Sequence, residues 1–308
     1  MPTAFITHAD CLMHEMGASH PESPARLQAI EDRLIASGLA AVVARLDAPL
    51  ASDEHLTRAH AAEYVDAIRA SAPSQGTRHL DPDTAMNPFT LQAALRAAGA
   101  AVLAVDLVLR GVMDNAFCAV RPPGHHACGA KAMGFCIFNN VAVGALHAIE
   151  AHRLDRVAIA DFDVHHGNGT EDIFAGDERV LMLSTFQHPF YPYSGVEPLG
   201  SNMINMPLPA GAGSKQFREA VERHWLPALR DFEPQLVMIS AGFDAHVEDD
   251  MAMLRLVDDD YAWVTTQIKA AAERYAQGRI VSVLEGGYAL SALGRSAVRH
   301  LRVLAGAE

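Results

Sequence analysis

Short apolar runs alternate along the chain with longer amphipathic stretches, and most of the runs end abruptly in polar residues, glycine or histidine. Strands of a parallel sheet are buried on both faces, so they read as continuous apolar runs. On this pattern strands are expected over residues 3–7, 115–120, 157–160, 180–184, 236–240 and 280–284, with weaker strand character over 202–206. Helices are expected over 24–37, where Leu27, Ile30, Leu34 and Ile35 recur at helical spacing behind Pro24, and over 53–69, 89–109, 140–152, 257–277 and 290–304. Residues 214–230 predict a helix kinked near Pro227, and 71–88, rich in Pro, Ser, Asp and Gly, predict a loop.

Strand–helix–strand spacing with no repeat or linker predicts a single α/β domain over residues 1–308, with a largely parallel central sheet and helices on both faces. Ligands of such sheets bind outside the carboxyl ends of the strands. Every unusual segment of this chain falls at such an end: His125 and His126, Asp161 to His165, Ser184 onward, Asp244, and Tyr288.

The central segment runs R-V-A-I-A-D-F-D-V-H-H-G-N-G-T over 156–170. If the backbone stays extended past the apolar run, Asp161, Asp163 and His165 leave on one side. Two carboxylates and an imidazole converging there call for a cation between them. Mixed Asp and His ligation suits zinc or another late first-row divalent metal better than Mg²⁺ or Ca²⁺. The glycines at 167 and 169 predict a sharp turn. Asp244 leaves its strand at the same relative position as Asp163, so Asp163, His165 and Asp244 give three ligands and leave a coordination position open, as in a catalytic site. A metal there can polarise a carbonyl and acidify water, one histidine of the 125–126 pair can move a proton, and Tyr288 on its Gly286-Gly287 turn can donate to a developing oxyanion. These parts describe hydrolysis of an amide or ester.

The formal net charge of -13 argues against a nucleic-acid binder, which needs a basic face. Four cysteines without a C-x-x-C pair read as free thiols of a reducing compartment. The amino-terminal residues lack a signal-peptide pattern and no apolar run approaches membrane-spanning length, so a soluble, cytoplasmic protein is expected.

The blocks R-P-P-G-H-H at 121–126, G-F-C-I-F-N-N at 134–140, D-F-D-V-H-H-G-N-G-T at 161–170, S-A-G-F-D-A at 240–245 and L-E-G-G-Y at 284–288, with H-P-E-S-P-A-R-L at 20–27, resemble the signature blocks of the histone deacetylase superfamily, in family order. The resemblance implies the arginase/deacetylase fold and zinc-dependent removal of acyl groups from amines. By position, it implies one zinc ion on Asp163, His165 and Asp244, His126 as general base and acid, His125 as its electrostatic partner, and Tyr288 as oxyanion donor. Asp161 matches the residue that orients His125. Asp161, Asp163, His165 and Ser184 match a structural potassium site. Gly134, Phe135 and Tyr191 match the walls of the acyl-lysine channel, Met251 its rim, and Arg26 a place near the inner cavity. Asn168 stands where the class I branch carries an aspartate, and the chain is more similar to class II and its bacterial relatives. Residues 245–256 depart from the usual glycine- and proline-containing rim loop. The expected substrate is acetyl-lysine or a similar small acylated amine. The nearest alternative is an acetylpolyamine amidohydrolase, for which Glu248, Asp249 and Asp250 are candidate acidic gatekeepers.

Overall fold

A computed structural model describes residues 2–307. In chain order it contains β1 (Thr3–Thr7), α1 (Ala25–Ala36), β2 (Ala44–Asp47), α2 (Asp53–Thr57), α3 (Ala62–Ser71), β3 (Arg78–Asp81), β4 (Thr84–Met86), α4 (Thr90–Leu109), β5 (Asn115–Cys118) and α5 (Asn140–Glu150). There follow β6 (Val157–Asp161), α6 (Asn168–Phe174), β7 (Val180–Gln187), β8 (Met203–Leu208), α7 (Ser214–Ala220), α8 (Leu226–Phe232), β9 (Leu236–Ala241), α9 (Asp258–Tyr275), β10 (Ile280–Leu284) and α10 (Leu290–Ala305).

Eight strands form one sheet in the order β2-β1-β5-β10-β9-β6-β7-β8, every neighbouring pair parallel. Every residue of β5, β6, β7, β9 and β10 is buried, as strands covered on both faces require. One layer pairs α4 with α5, and the other joins α1, α10 and α9. Met238 of β9 faces Gly144 of α5, whereas Ser282 of β10 meets His300 of α10 at 2.8 Å on the opposite face. Among the described residues α4 is the one helix long and apolar enough to cross a membrane, and 67% of that window is buried inside the fold. The chain is thus a single α/β domain, as its pattern predicts.

Several local expectations change. The helix expected over 53–69 is two helices, because the chain turns at 58–61 to bury His60, which bonds the Cys128 carbonyl through Nδ1. The loop expected over 71–88 contains the antiparallel hairpin β3–β4. The interruption expected near Pro227 is a π-helical turn over Val221–Trp225, one turn earlier. Proline lacks an N–H and its ring crowds the carbonyl four residues back, so the preceding turn widens. β2 was not foreseen: it is a half-exposed edge strand whose segment, ARLD, has one large apolar residue.

Candidate active site

The carboxyl ends of β5, β6, β9 and β10 meet in the middle of the sheet, and the loops leaving them carry the unusual residues. β6 ends at Asp161 and the chain then bends over 163–165; Asp161 Oδ2 meets His125 Nδ1 rather than joining Asp163 and His165. Asp163, His165 and Asp244 converge instead, with one ligand atom from each lying within 4.8 Å of the others, and all three are buried. Asp163 Oδ1 is 2.9 Å and Asp244 Oδ2 is 3.3 Å from His165 Nδ1. The remaining carboxylate oxygens are tied to the backbone: Gly286 N donates to Asp163 Oδ2 at 2.8 Å, and Val164 N to Asp244 Oδ1 at 2.9 Å. A Cβ on Gly286 would lie 2.0 Å from Asp244 Oδ2, so only glycine lets this loop approach the carboxylates.

Asp244 Oδ2 is buried and has no hydrogen-bond partner. Burial and the neighbouring charge of Asp163 push the Asp244 carboxyl up to about 6. Burial pulls His165 down, but Asp163 and Asp244 outweigh it and raise the imidazole to about 9. Two carboxylates and an imidazole around an unpartnered oxygen fit a divalent cation of the zinc type. A second cluster, Asp106, His147 and His152, meets the same distance criterion. There Asp106 Oδ1 lies 3.0 Å from His147 Nε2 and 2.6 Å from His152 Nε2, and Arg58 meets His147 Nδ1 at 2.7 Å. The guanidinium can only donate, which fixes the His147 proton on Nε2 toward Asp106, so that cluster satisfies itself without a metal.

The histidine pair is held from behind. His125 Nδ1 lies 3.0 Å from Asp161 Oδ2, and His126 Nδ1 lies 2.7 Å from Asn168 Oδ1. Their environments differ in sign. Burial opposes charge on both, but Asp163 and Asp161 override it at His125 and hold that imidazole well above its usual range. At His126 the charges of His125 and His165 add to burial and push it well below. Asn168 supplies a hydrogen bond without a charge, so His126 stays neutral with its Nε2 free to accept a proton.

His125, His126 and His165 line a cavity of about 180 Å³ together with Gly134, Phe135, Tyr191, Met251 and Tyr288. Tyr288 stands edge-on to Phe135, with ring centroids 6.1 Å apart, and beneath Arg26, whose guanidinium carbon is 4.9 Å from its ring centre. Arg26 is fully buried: its Nε donates to Gly287 O at 2.7 Å, one Nη donates to Glu285 O, and the other meets Glu22 at 3.0 Å. Burial, reinforced by Asp244 and Asp163 against the opposing Arg26, keeps the Tyr288 phenol well above its usual range, and it is therefore a hydrogen-bond donor. At Gly167 the glycine serves a close approach: a Cβ there would lie 2.4 Å from Asp161 Oδ2, and the chain runs on into α6.

The histone deacetylase domain family matches residues 20–304. The chain belongs to the histone deacetylase family. It is 39% identical over 310 residues to the histone deacetylase-like amidohydrolase of Pseudomonas aeruginosa, covering 93% of this chain and 81% of that protein. It is 35% identical over 328 residues to human polyamine deacetylase HDAC10, covering 99% of this chain and 48% of that protein. The crystal structure of the HDA15 HD domain superposes with a TM-score of 0.93 at 34% identity, covering 99% of this chain and 88% of that one. By family this chain is a hydrolase.

Two further residues of the site, Asp83 and Glu285, were given no role from the sequence, and a third, Asp249, was given a different one. Asp83 lines the cavity from the β3–β4 hairpin and accepts the Gly134 amide at 3.0 Å. Glu285 accepts the amides of Gly124 and His125 at 2.6 and 3.1 Å, fixing the histidine loop to β10. Asp249, one of the gatekeeper candidates, points inward to the Tyr288 backbone. The glutamate stood inside a quoted motif; the aspartates carried no signal, since an acidic residue in a polar loop reads as solvated.

Proposed function

We propose that this histone deacetylase family member is a zinc-dependent deacylase that hydrolyses the amide of acetyl-lysine or a similar acylated amine. The observation that carries the reading is the Asp244 Oδ2 without a hydrogen-bond donor, clustered with Asp163 and with His165, which lines the same cavity as the split histidine pair and the buried phenol. When bound by Asp163, His165 and Asp244, zinc supplies Lewis acidity, which polarises the substrate carbonyl and makes water acidic enough to react.

The chain's own residues do the rest. His126 Nε2 takes the proton from water as it attacks the carbonyl carbon and returns it to the amine nitrogen as the C–N bond breaks. His125, its charge favoured by Asp163 and Asp161, adds positive potential beside His126. Tyr288 donates a hydrogen bond to the carbonyl oxygen as negative charge grows there. Phe135, Gly134 and Tyr191 wall the channel around the acyl-amine stem, with Met251 at its rim, and exclude bulk water. A potassium ion held by Asp161, Asp163, His165 and Ser184 belongs to the same proposal; the buried Ser184 hydroxyl, without a partner and opposite Asp161 across β6 and β7, supports it.

The acetylpolyamine reading needs a free acidic gatekeeper. Glu248 is taken by Arg295 at 2.6 Å and Asp249 is buried, which leaves the exposed Asp250. Acyl-lysine is the first reading, and Asp250 is the gatekeeper that the acetylpolyamine reading would use. The test is a substrate panel of acetyl-lysine peptides, longer acyl-lysines and acetylpolyamines on zinc-loaded protein. Faster turnover of acetyl-lysine peptides supports it, preference for acetylpolyamines reverses the order, and no turnover of any acylated amine overturns the deacylase.

A further inference from the structure

The loop over 245–256 is where this chain departs from its family's pattern, and Asp249 is its inward-facing charge. The residue is 5% exposed. Oδ2 accepts two backbone amides, Tyr288 N at 2.6 Å and Ala289 N at 2.9 Å, immediately before α10. Oδ1 accepts Met251 N at 3.0 Å. Its own N–H donates to His246 O at 2.9 Å, and Val247 N donates to Leu256 O at 2.8 Å, so the loop that carries it is closed at its base. The N-cap Ala289 offers no side-chain cap to α10, and its amide, which Asp249 takes, is one of those a helix start leaves without a partner.

One carboxylate thus holds both the backbone of the candidate oxyanion donor and the amide of the residue at the channel rim. Arg26 fixes the same turn from the other side, through Gly287 O and the Tyr288 ring. The phenol reaches its place from a backbone clamped at two points, and a shift of about 1 Å in such a group costs on the order of 10²-fold in rate. We infer that Asp249 is a positioning residue for Tyr288, coupling the rim of the channel at Met251 to the aim of the oxyanion donor. The inference rests on the deacylase reading above and deepens it.

The test is a double-variant cycle. kcat and KM for an acetyl-lysine peptide are measured for zinc-loaded wild type, Asp249→Asn, Tyr288→Phe and the double variant, each normalised to folded, metal-containing protein. Asp249→Asn keeps the shape and weakens the clamp, so kcat should fall roughly tenfold to a hundredfold with KM nearly unchanged. Tyr288→Phe should fall by about 10² to 10³. The double variant should be no slower than Tyr288→Phe alone, because with the hydroxyl gone its aim no longer matters. Asp249→Glu, which keeps the charge on a longer arm, should recover part of the loss, and it carries the same cycle if the asparagine variant does not fold. If Tyr288→Phe leaves kcat unchanged, the oxyanion reading fails and takes this inference with it. If Tyr288→Phe is slow but the Asp249 variants cost the same factor in both backgrounds, the oxyanion reading stands and the positioning role is overturned.

Discussion

Asp244 Oδ2 lies 3.3 Å from His165 Nδ1 and makes no hydrogen bond, although the residue is buried. The closer partner of that Nδ1 is Asp163 Oδ1 at 2.9 Å, so one imidazole is shared between two buried carboxylates, an arrangement that costs free energy unless a further cation meets them. Wild-type protein should therefore bind one transition metal per chain, and Asp244→Ala should bind almost none, since two remaining ligands cannot hold an open site. Chelation should lower the Tm of the wild type and leave that of Asp244→Ala unmoved. Elemental analysis that finds a full metal complement in Asp244→Ala would remove the assignment.

Asp161 tests the division between ligand and support. Its Oδ2 faces His125 Nδ1 at 3.0 Å, and its Oδ1 accepts the Asp163 amide at 3.1 Å. Asp161→Asn keeps the shape but gives His125 a neutral partner. Activity should drop by about 10- to 100-fold while metal is largely kept, the usual scale for a residue that orients a site from behind. Loss of metal in proportion to activity would instead make Asp161 a ligand.

The sheet and the clustering of Asp163, His165 and Asp244 have physical reasons to be legible. Strands such as VAIAD and LVMISA are buried on both faces, so their apolar runs are continuous. Asp163, His165 and Asp244 stand just beyond strand ends, where ligand-type residues have no structural reason to gather. The half-exposed β2 and the hairpin β3–β4 left weak patterns because edge and surface strands need little apolar character. Asp249 was illegible for another reason. Its neighbours Glu248 and Asp250 are exposed, and whether a carboxylate turns in or out depends on backbone donors from the loop after β10, 39 residues away at Tyr288.

His60 provides a measurement independent of catalysis. Its Nδ1 lies 3.0 Å from Cys128 O and its Nε2 accepts the Asn139 amide at 2.9 Å, so the neutral ring satisfies both and a second proton would face an N–H. Burial pushes this imidazole down to about 4, from 6.5. The unfolded chain therefore binds the extra proton first, and the stability His60 contributes is complete above pH 6.5 and is lost as pH falls toward 4. His60→Gln should be less stable than wild type at neutral pH, and the gap should narrow by up to about 3 kcal/mol on acidification through that window. Urea titrations at several pH values check this; a gap independent of pH would mean the ring is not held neutral.

Tyr288 separates catalyst from binder. Its ring is fixed by Phe135 and Arg26 and its backbone by Asp249, so removing the hydroxyl leaves the packing in place. The phenol's hydrogen bond strengthens only as charge develops on the carbonyl oxygen, so it acts mainly in the transition state. Tyr288→Phe should fold normally and keep its metal while kcat falls by roughly 10² to 10³, or about 3 to 4 kcal/mol. KM should move little, because ground-state binding comes from the channel walls and the metal. Steady-state kinetics on metal-loaded protein decide between the roles: an unchanged kcat excludes the oxyanion contact, and a large rise in KM alone makes Tyr288 part of the binding surface.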